Sequence, residues 1–185
     1  MKPRRPVLAA AAATAVVAAS ALLYSKARRA DLPVVPHVDL KRYMGVWYEI
    51  ARLPARFEKS CEHVTAAYRL RPDGKVSVFN TCHKNDVNGP IDTAKGVARV
   101  VDPKTNAKLK VSFFWPFEGN YWILELDPSY RFAVVGEPGR KYLWVLSRTP
   151  QLERSIRDRL IAKAKELGFP VENLIFTGQP VAEKS

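Results

Sequence analysis

Cysteine and histidine are scarce in this chain: Cys61 and Cys82 are its only thiols, and His37, His63 and His83 its only imidazoles. So thin a supply leaves one conceivable metal set, Cys61, His63, Cys82 and His83. Successive side chains on a strand alternate faces, so Cys61 and His63 share a side while the neighbours Cys82 and His83 point apart. At most three of the four converge, which argues against zinc. His37 falls in a proline-bounded segment and reads as solvated. Also missing are a P-loop, a glycine-rich phosphate cradle and any grouping of serine, histidine and acid. Ser112, Ser129 and Ser147 stand without local partners. No catalytic residue, cofactor or metal is therefore expected.

A basic tract is missing too, although the net charge is +12 over 185 residues. Half of that excess comes from Lys2, Arg4, Arg5, Lys26, Arg28 and Arg29 in residues 1–30, which hold no acid. The rest is scattered among strands and a helix, so a nucleic-acid partner is not expected. An anionic surface such as lipid head groups remains a fitting partner. Lys2, Arg4 and Arg5 precede an uncharged run from Pro6 to Ser25, rich in Ala and Val, with the small residues Ala19-Ser20-Ala21 inside it. Residues 1–30 thus read as a signal peptide or an N-terminal membrane anchor, cleavage and retention both being open. Export is the common implication. Residues 31–37, with Pro33 and Pro36, read as a linker, 38–180 as the folded domain and 181–185 as a tail.

What the chain does have is short β-type runs divided by turn residues. Strands are expected over Val46–Leu53, Glu62–Leu70, Lys75–Thr81, Thr93–Val101, Lys108–Phe114, Asn120–Leu126, Arg131–Val135 and Lys141–Ser147. Arg71-Pro72-Asp73-Gly74 makes a hairpin turn, in which Pro presets φ and Gly accepts φ > 0. One amphipathic helix follows. Thr149 is its expected cap and Pro150 its first position, Leu152, Ile156, Leu160, Ala164 and Leu167 form its apolar stripe, and Gly168 stops it. Leu174–Thr177 reads as a final short strand. The fold class is all-β: an eight-stranded antiparallel up-and-down barrel with one C-terminal α-helix on its outside. Such a barrel has room for packed side chains or one small ligand.

Three separated signatures in this frame resemble those of the lipocalins. Gly45-Val46-Trp47 lies on the first strand, Asp127 and Tyr130 after the sixth, and Arg148 at the end of the eighth. The first and third are closest in wording to bacterial outer-membrane lipocalins and their apolipoprotein D-like relatives. A structural role suits all of these residues, with Trp47 plugging the barrel base and the Arg148 guanidinium laid on its ring. The resemblance implies binding, storage or transport of a fatty acid or lysophospholipid in the cell envelope, in support of membrane maintenance. It also implies the periplasm or the outer membrane as location. Unlike bacterial members of that type, residues 1–30 hold no lipobox cysteine, so a soluble periplasmic form or an uncleaved anchor is expected.

Eight Phe, seven Tyr and four Trp supply a greasy interior. Parity places Tyr142, Trp144 and Leu146 inside and Leu143 and Val145 towards the helix. Phe57 in the first loop, Phe113, Trp115 and Tyr121 around the aromatic fifth turn, and the inward Glu49 complete the expected ligand-binding set. Glu49 meets a ligand's head or pairs with a nearby Arg or Lys. In an exported chain Cys61 and Cys82, on facing hairpin arms near the barrel mouth, are expected to form a disulfide. Two other readings compete with a carrier. One is an isomerase-type lipid enzyme, which needs a free reactive Cys61 or Cys82. The other is an interaction module that dimerises through Trp115.

Overall fold

β-branched and aromatic runs separated by Pro, Gly, Asn and Asp fold as the pattern dictates, into strands joined by tight turns. The computed structural model describes residues 32–180. The proposed signal or anchor segment and the C-terminal tail lie outside the described residues. A short helix α1 (Leu40–Tyr43) leads into β1 (Gly45–Arg52), β2 (Cys61–Leu70), β3 (Val76–Lys84), β4 (Ile91–Val100), β5 (Lys108–Phe114), β6 (Phe117–Leu126), β7 (Phe132–Gly136) and β8 (Leu143–Ser147). Helix α2 (Arg154–Glu166) and a two-residue strand β9 (Ile175–Phe176) follow. Each strand pairs antiparallel with the next, β8 returns to β1, and β1 also pairs with β2. The sheet is therefore a closed eight-stranded barrel, with β9 added outside along β1. Closure leaves the barrel strands no free edge. Among the described residues no helix is long and apolar enough to cross a membrane.

The expected turn over residues 71–74 forms: Asp73 accepts from the Lys75 amide, and Gly74 adopts φ +76°. Helix α2 differs at its start. It begins at Arg154, not at Thr149-Pro150, and its cap position Glu153 makes no side-chain capping bond. The Thr149 hydroxyl is spent instead on the Gln151 carbonyl and the Ser147 hydroxyl, which holds a turn ahead of the helix. The stop is as expected: Gly168 has φ +84° and its amide bonds the Lys165 carbonyl. Leu160 and Ala164 are buried on the helix's inner face. The proline-bounded segment is extended but held, since the Val35 amide donates to Ile123 O and the Val38 amide to Thr105 O. Val34 and Val35 pack against the core.

The three separated signatures meet at one end of the barrel. Trp47 is fully buried there, and its Nε1 donates to the Tyr43 carbonyl at 2.9 Å. The Arg148 guanidinium lies 3.9 Å from the indole ring centroid. Its N–H groups donate to the carbonyls of Val46, Arg42, Tyr43, Met44 and Tyr130 at 2.8–3.3 Å. Only a planar fork reaches so many acceptors at once. Gly45 has φ +94°, and a Cβ there would stand 3.2 Å from Arg148 Nη1. Asp127 accepts from the Ser129 and Arg131 amides and from the Arg131 side chain. Tyr130 accepts the Asp39 amide on its hydroxyl and carries Arg42 over its ring at 4.1 Å. These residues seal a floor.

Candidate functional site: an apolar cavity

Above that floor the inward side chains stop short of each other and leave a cavity of about 690 Å³. Alternation along each strand supplies its wall: Val64, Ala66 and Tyr68 from β2, Val76, Val78 and Asn80 from β3, Leu109 and Val111 from β5, and Trp144 and Leu146 from β8. The small side chains of Ala66 and Ala98 help to keep it hollow. Lining is overwhelmingly apolar, the composition of a site for a greasy ligand.

Three tyrosines form a polar spot low in the cavity. The Tyr121 hydroxyl meets those of Tyr43 at 2.8 Å and Tyr68 at 3.1 Å. Burial raises all three above the ordinary phenol range, Tyr68 to about 12 and the other two well above 10, so the trio is neutral.

At the opposite end, Glu49 and Glu58 share Arg52. Arg52 Nη1 donates to Glu49 at 2.7 Å and to the Thr177 hydroxyl at 3.0 Å, and Thr177 in turn donates to Glu49. Arg52 Nη2 donates to the carbonyls of Glu58 and Cys61, and Nε stands 3.6 Å from the Glu58 carboxylate. Glu49 and Glu58 both line the cavity. Trp144 Nε1 donates to Glu58 at 3.1 Å. Burial and then the charge of Glu49 push the Glu58 carboxyl up to about 7, against the opposing bond from Trp144 and the charges of Arg52 and Lys84. Burial also raises Glu49.

A raised carboxyl binds its proton more tightly folded than unfolded. The stability Glu58 confers is therefore complete below its unfolded value of 4.5 and is lost as pH rises through about 7. Denaturant unfolding at pH 5 and pH 8 is expected to show a fall in stability with pH, and Glu58→Gln a smaller fall. Equal falls in the two proteins would contradict this.

Of the residues expected to bind a ligand, Glu49, Phe57, Phe113, Tyr121, Tyr142 and Trp144 line the cavity, and Leu143 and Val145 are buried away from it. Trp115 does not line it. It is 85 % exposed on the β5–β6 turn, beside an outer groove with Arg71, Lys75 and Lys95. Glu49 faces inward yet pairs with Arg52, the second of the two roles open to it. Cys61 and Cys82 form a disulfide with Cα atoms 5.4 Å apart, so neither offers a thiolate to a metal or a reaction. His63 departs from the expected face. A bulge between Glu62 and Thr65, with His63 at φ +44°, turns its ring outward to stack on His83 at 4.6 Å. Cys61 stays on the cavity wall.

Tyr43, Tyr68, Arg52 and Glu58 also belong to the site, without having been expected there. Parity with Ala66 places Tyr68 inside, a signal present in the sequence. Arg52 has no such signal: three residues from Glu49, it belongs on the opposite face of a regular strand, and the bulge between Glu49 and Ala51 brings the two together. Glu58 lies in a 3₁₀ turn, where no periodicity applies.

A closed eight-stranded calyx, sealed by a Trp–Arg stack and hollow above it, defines a binding barrel for small hydrophobic molecules. The chain belongs to the lipocalin family: a lipocalin-like domain model matches residues 38–179. It is 43% identical over 175 residues to the outer membrane lipoprotein Blc of Escherichia coli strain K12, covering 95% of this chain and 97% of that protein. It is 42% identical over 158 residues to temperature-induced lipocalin-1 of Arabidopsis thaliana, covering 80% and 83%. To apolipoprotein D of Macaca fascicularis it is 30% identical over 154 residues, covering 80% of each. Among solved structures, insecticyanin of the tobacco hornworm shares the fold with a TM-score of 0.64 at 22% identity, covering 83% of this chain and 86% of that one.

Proposed function

We propose that this lipocalin binds, stores and carries a single-chain lipid, a fatty acid or lysophospholipid, in the cell envelope, and so supports membrane maintenance. The observation that carries the reading is the apolar cavity of about 690 Å³, sealed at its floor and open at its mouth. Each methylene moved into it from water contributes about 0.8 kcal/mol. The similarity to an outer membrane lipoprotein supports the envelope location. A carrier needs no nucleophile, and the two cysteines an isomerase would draw on are joined to each other.

Trp144 presents its indole to the cavity and fixes Glu58. Trp144→Ala is expected to weaken binding of a fluorescent fatty acid about tenfold, measured by titration. Unchanged affinity across Trp144→Ala, Phe113→Ala and Tyr121→Ala would refute the calyx as the site.

The exposed β5–β6 tip, Phe114, Trp115 and Phe117, favours a membrane surface as the place where ligand is collected. Arg71, Lys75 and Lys95 in the adjoining groove complement anionic head groups. Trp115→Ser is then expected to reduce sedimentation with anionic vesicles and leave the protein's own sedimentation unchanged. A shift from dimer to monomer would assign the tip to a second copy instead.

A further inference from the structure

The charge lining the cavity is the reverse of the charge on the protein. Five carboxylates line it, from Glu49, Glu58, Asp92, Glu118 and Glu137, and among the described residues no Lys, Arg or His does. Three of the five are answered from behind the wall. Asp92 pairs with Lys84 at 3.1 Å, Glu118 with Arg99 at 2.8 Å, and Glu137 accepts the amides of Gly139 and Lys141. Glu49 and Glu58 have one arginine between them, and when both are ionised one negative charge is uncompensated. Arg52 turns its terminal N–H groups to Glu49, Thr177 and two backbone carbonyls, so none serves an incoming anion. Asn80 Oδ1, also on the wall, is a buried acceptor without a donor.

Aromatic rings stand at the same place. Trp144 donates to Glu58, Tyr142 stacks on Trp144 with centroids 6.0 Å apart, and Phe57 lies 5.6 Å from Tyr142. All three rings line the cavity. Lys141 already sits 5.3 Å from the Tyr142 centroid. Trp144 turns its N–H edge to Glu58, and a carboxylate short of a cation with aromatic rings nearby is the setting an ammonium group seeks.

We infer that the Phe57, Tyr142 and Trp144 rings together with Glu58 receive an ammonium-bearing head, so that the cavity prefers single-chain lipids carrying an ammonium group over free fatty acids. This rests on the carrier reading and narrows its ligand class. The tail runs down towards the neutral tyrosines. Bound ammonium holds Glu58 ionised and so competes with its proton. The charged and polar groups facing Glu58 are Glu49 and Arg52 from β1, Lys84 from β3 and Trp144 from β8.

The test displaces a neutral naphthylamine probe from the full chain at 0.15 M salt with three twelve-carbon amphiphiles: dodecyltrimethylammonium, dodecanoate and monododecanoyl glycerol. At pH 8 the ammonium compound is expected to bind about tenfold more tightly than dodecanoate and more tightly than the glycerol ester. Its affinity is expected to rise from pH 6 to pH 8, while that of dodecanoate falls. Glu58→Gln is expected to remove most of the preference and most of the pH slope. The wild-type pH series needs no variant and decides the matter should Glu58→Gln fold poorly. Probe binding with dodecanoate or the glycerol ester equal to or tighter than the ammonium compound would overturn the inference and leave the carrier reading standing. No binding of probe or amphiphile would overturn both.

Discussion

Ala66→Trp is expected to weaken lipid binding by roughly two-hundredfold while the barrel stays folded. Ala66 sits on β2 opposite Trp47 and Asn80, and its methyl faces the hollow. An indole placed there enters space that no protein atom occupies. Overpacking a filled core costs about 1–3 kcal/mol, and filling a void costs less. Tyr68 and Val64, its neighbours on the same face, keep their places on the wall. The lipid loses the room for about four methylenes, about 3 kcal/mol at about 0.8 each, which is the two-hundredfold quoted. Titration with a fluorescent fatty acid, with circular dichroism on the same sample, reads both halves of the result. Retained affinity would place the ligand outside the calyx.

Trp47→Ala is expected to cost about 3–5 kcal/mol, the range for removing a large buried aromatic. Several losses coincide at this position. The indole is completely buried, its Nε1 ties down the Tyr43 carbonyl, and Arg148 rests on its face. With the ring gone, the guanidinium keeps its carbonyls but stands over a void. A domain of this size loses roughly 2–4 °C of Tm per kcal/mol, so a drop of roughly 6–20 °C is expected in a thermal melt. A drop of only a degree or two would mean that the floor does not depend on this stack.

These two substitutions probe features of different legibility. The floor is readable from sequence because its residues lie in fixed local patterns: Gly45 at a positive φ, Trp47 two residues on, Arg148 at the end of β8. The eight strands are readable because alternation and turn residues are local as well. The helix start is less so, since Thr149 has a capping side chain but uses it on a turn. The acid–arginine cluster is least readable. Glu49 and Arg52 share a side only because β1 bulges, and Glu58 and Thr177 reach them from a loop and from the far end of the domain. His63 faces outward for the same kind of reason, a bulge that reverses parity. Trp115 depends on the turn, not on strand parity: the turn carries this aromatic residue past the barrel rim, and its ring stands in solvent.

The cluster also sets how the two ends of the cavity differ. The floor carries neutral hydroxyls over a stacked arginine bonded to five carbonyls, and the mouth carries carboxylates and rings. On the ammonium-head proposal, this gradient draws an amphiphile's tail to the apolar middle and leaves its head among acceptors. Neutral phenols at the floor add little electrostatic bias.

Native mass spectrometry of the gently purified protein, before and after incubation with a single-chain lipid, asks whether the barrel interior is a container. One lipid per chain is expected on the wild type, and none on Ala66→Trp treated identically. A wild type that stays at its bare mass after incubation, or an Ala66→Trp protein that takes up lipid as readily, would contradict it.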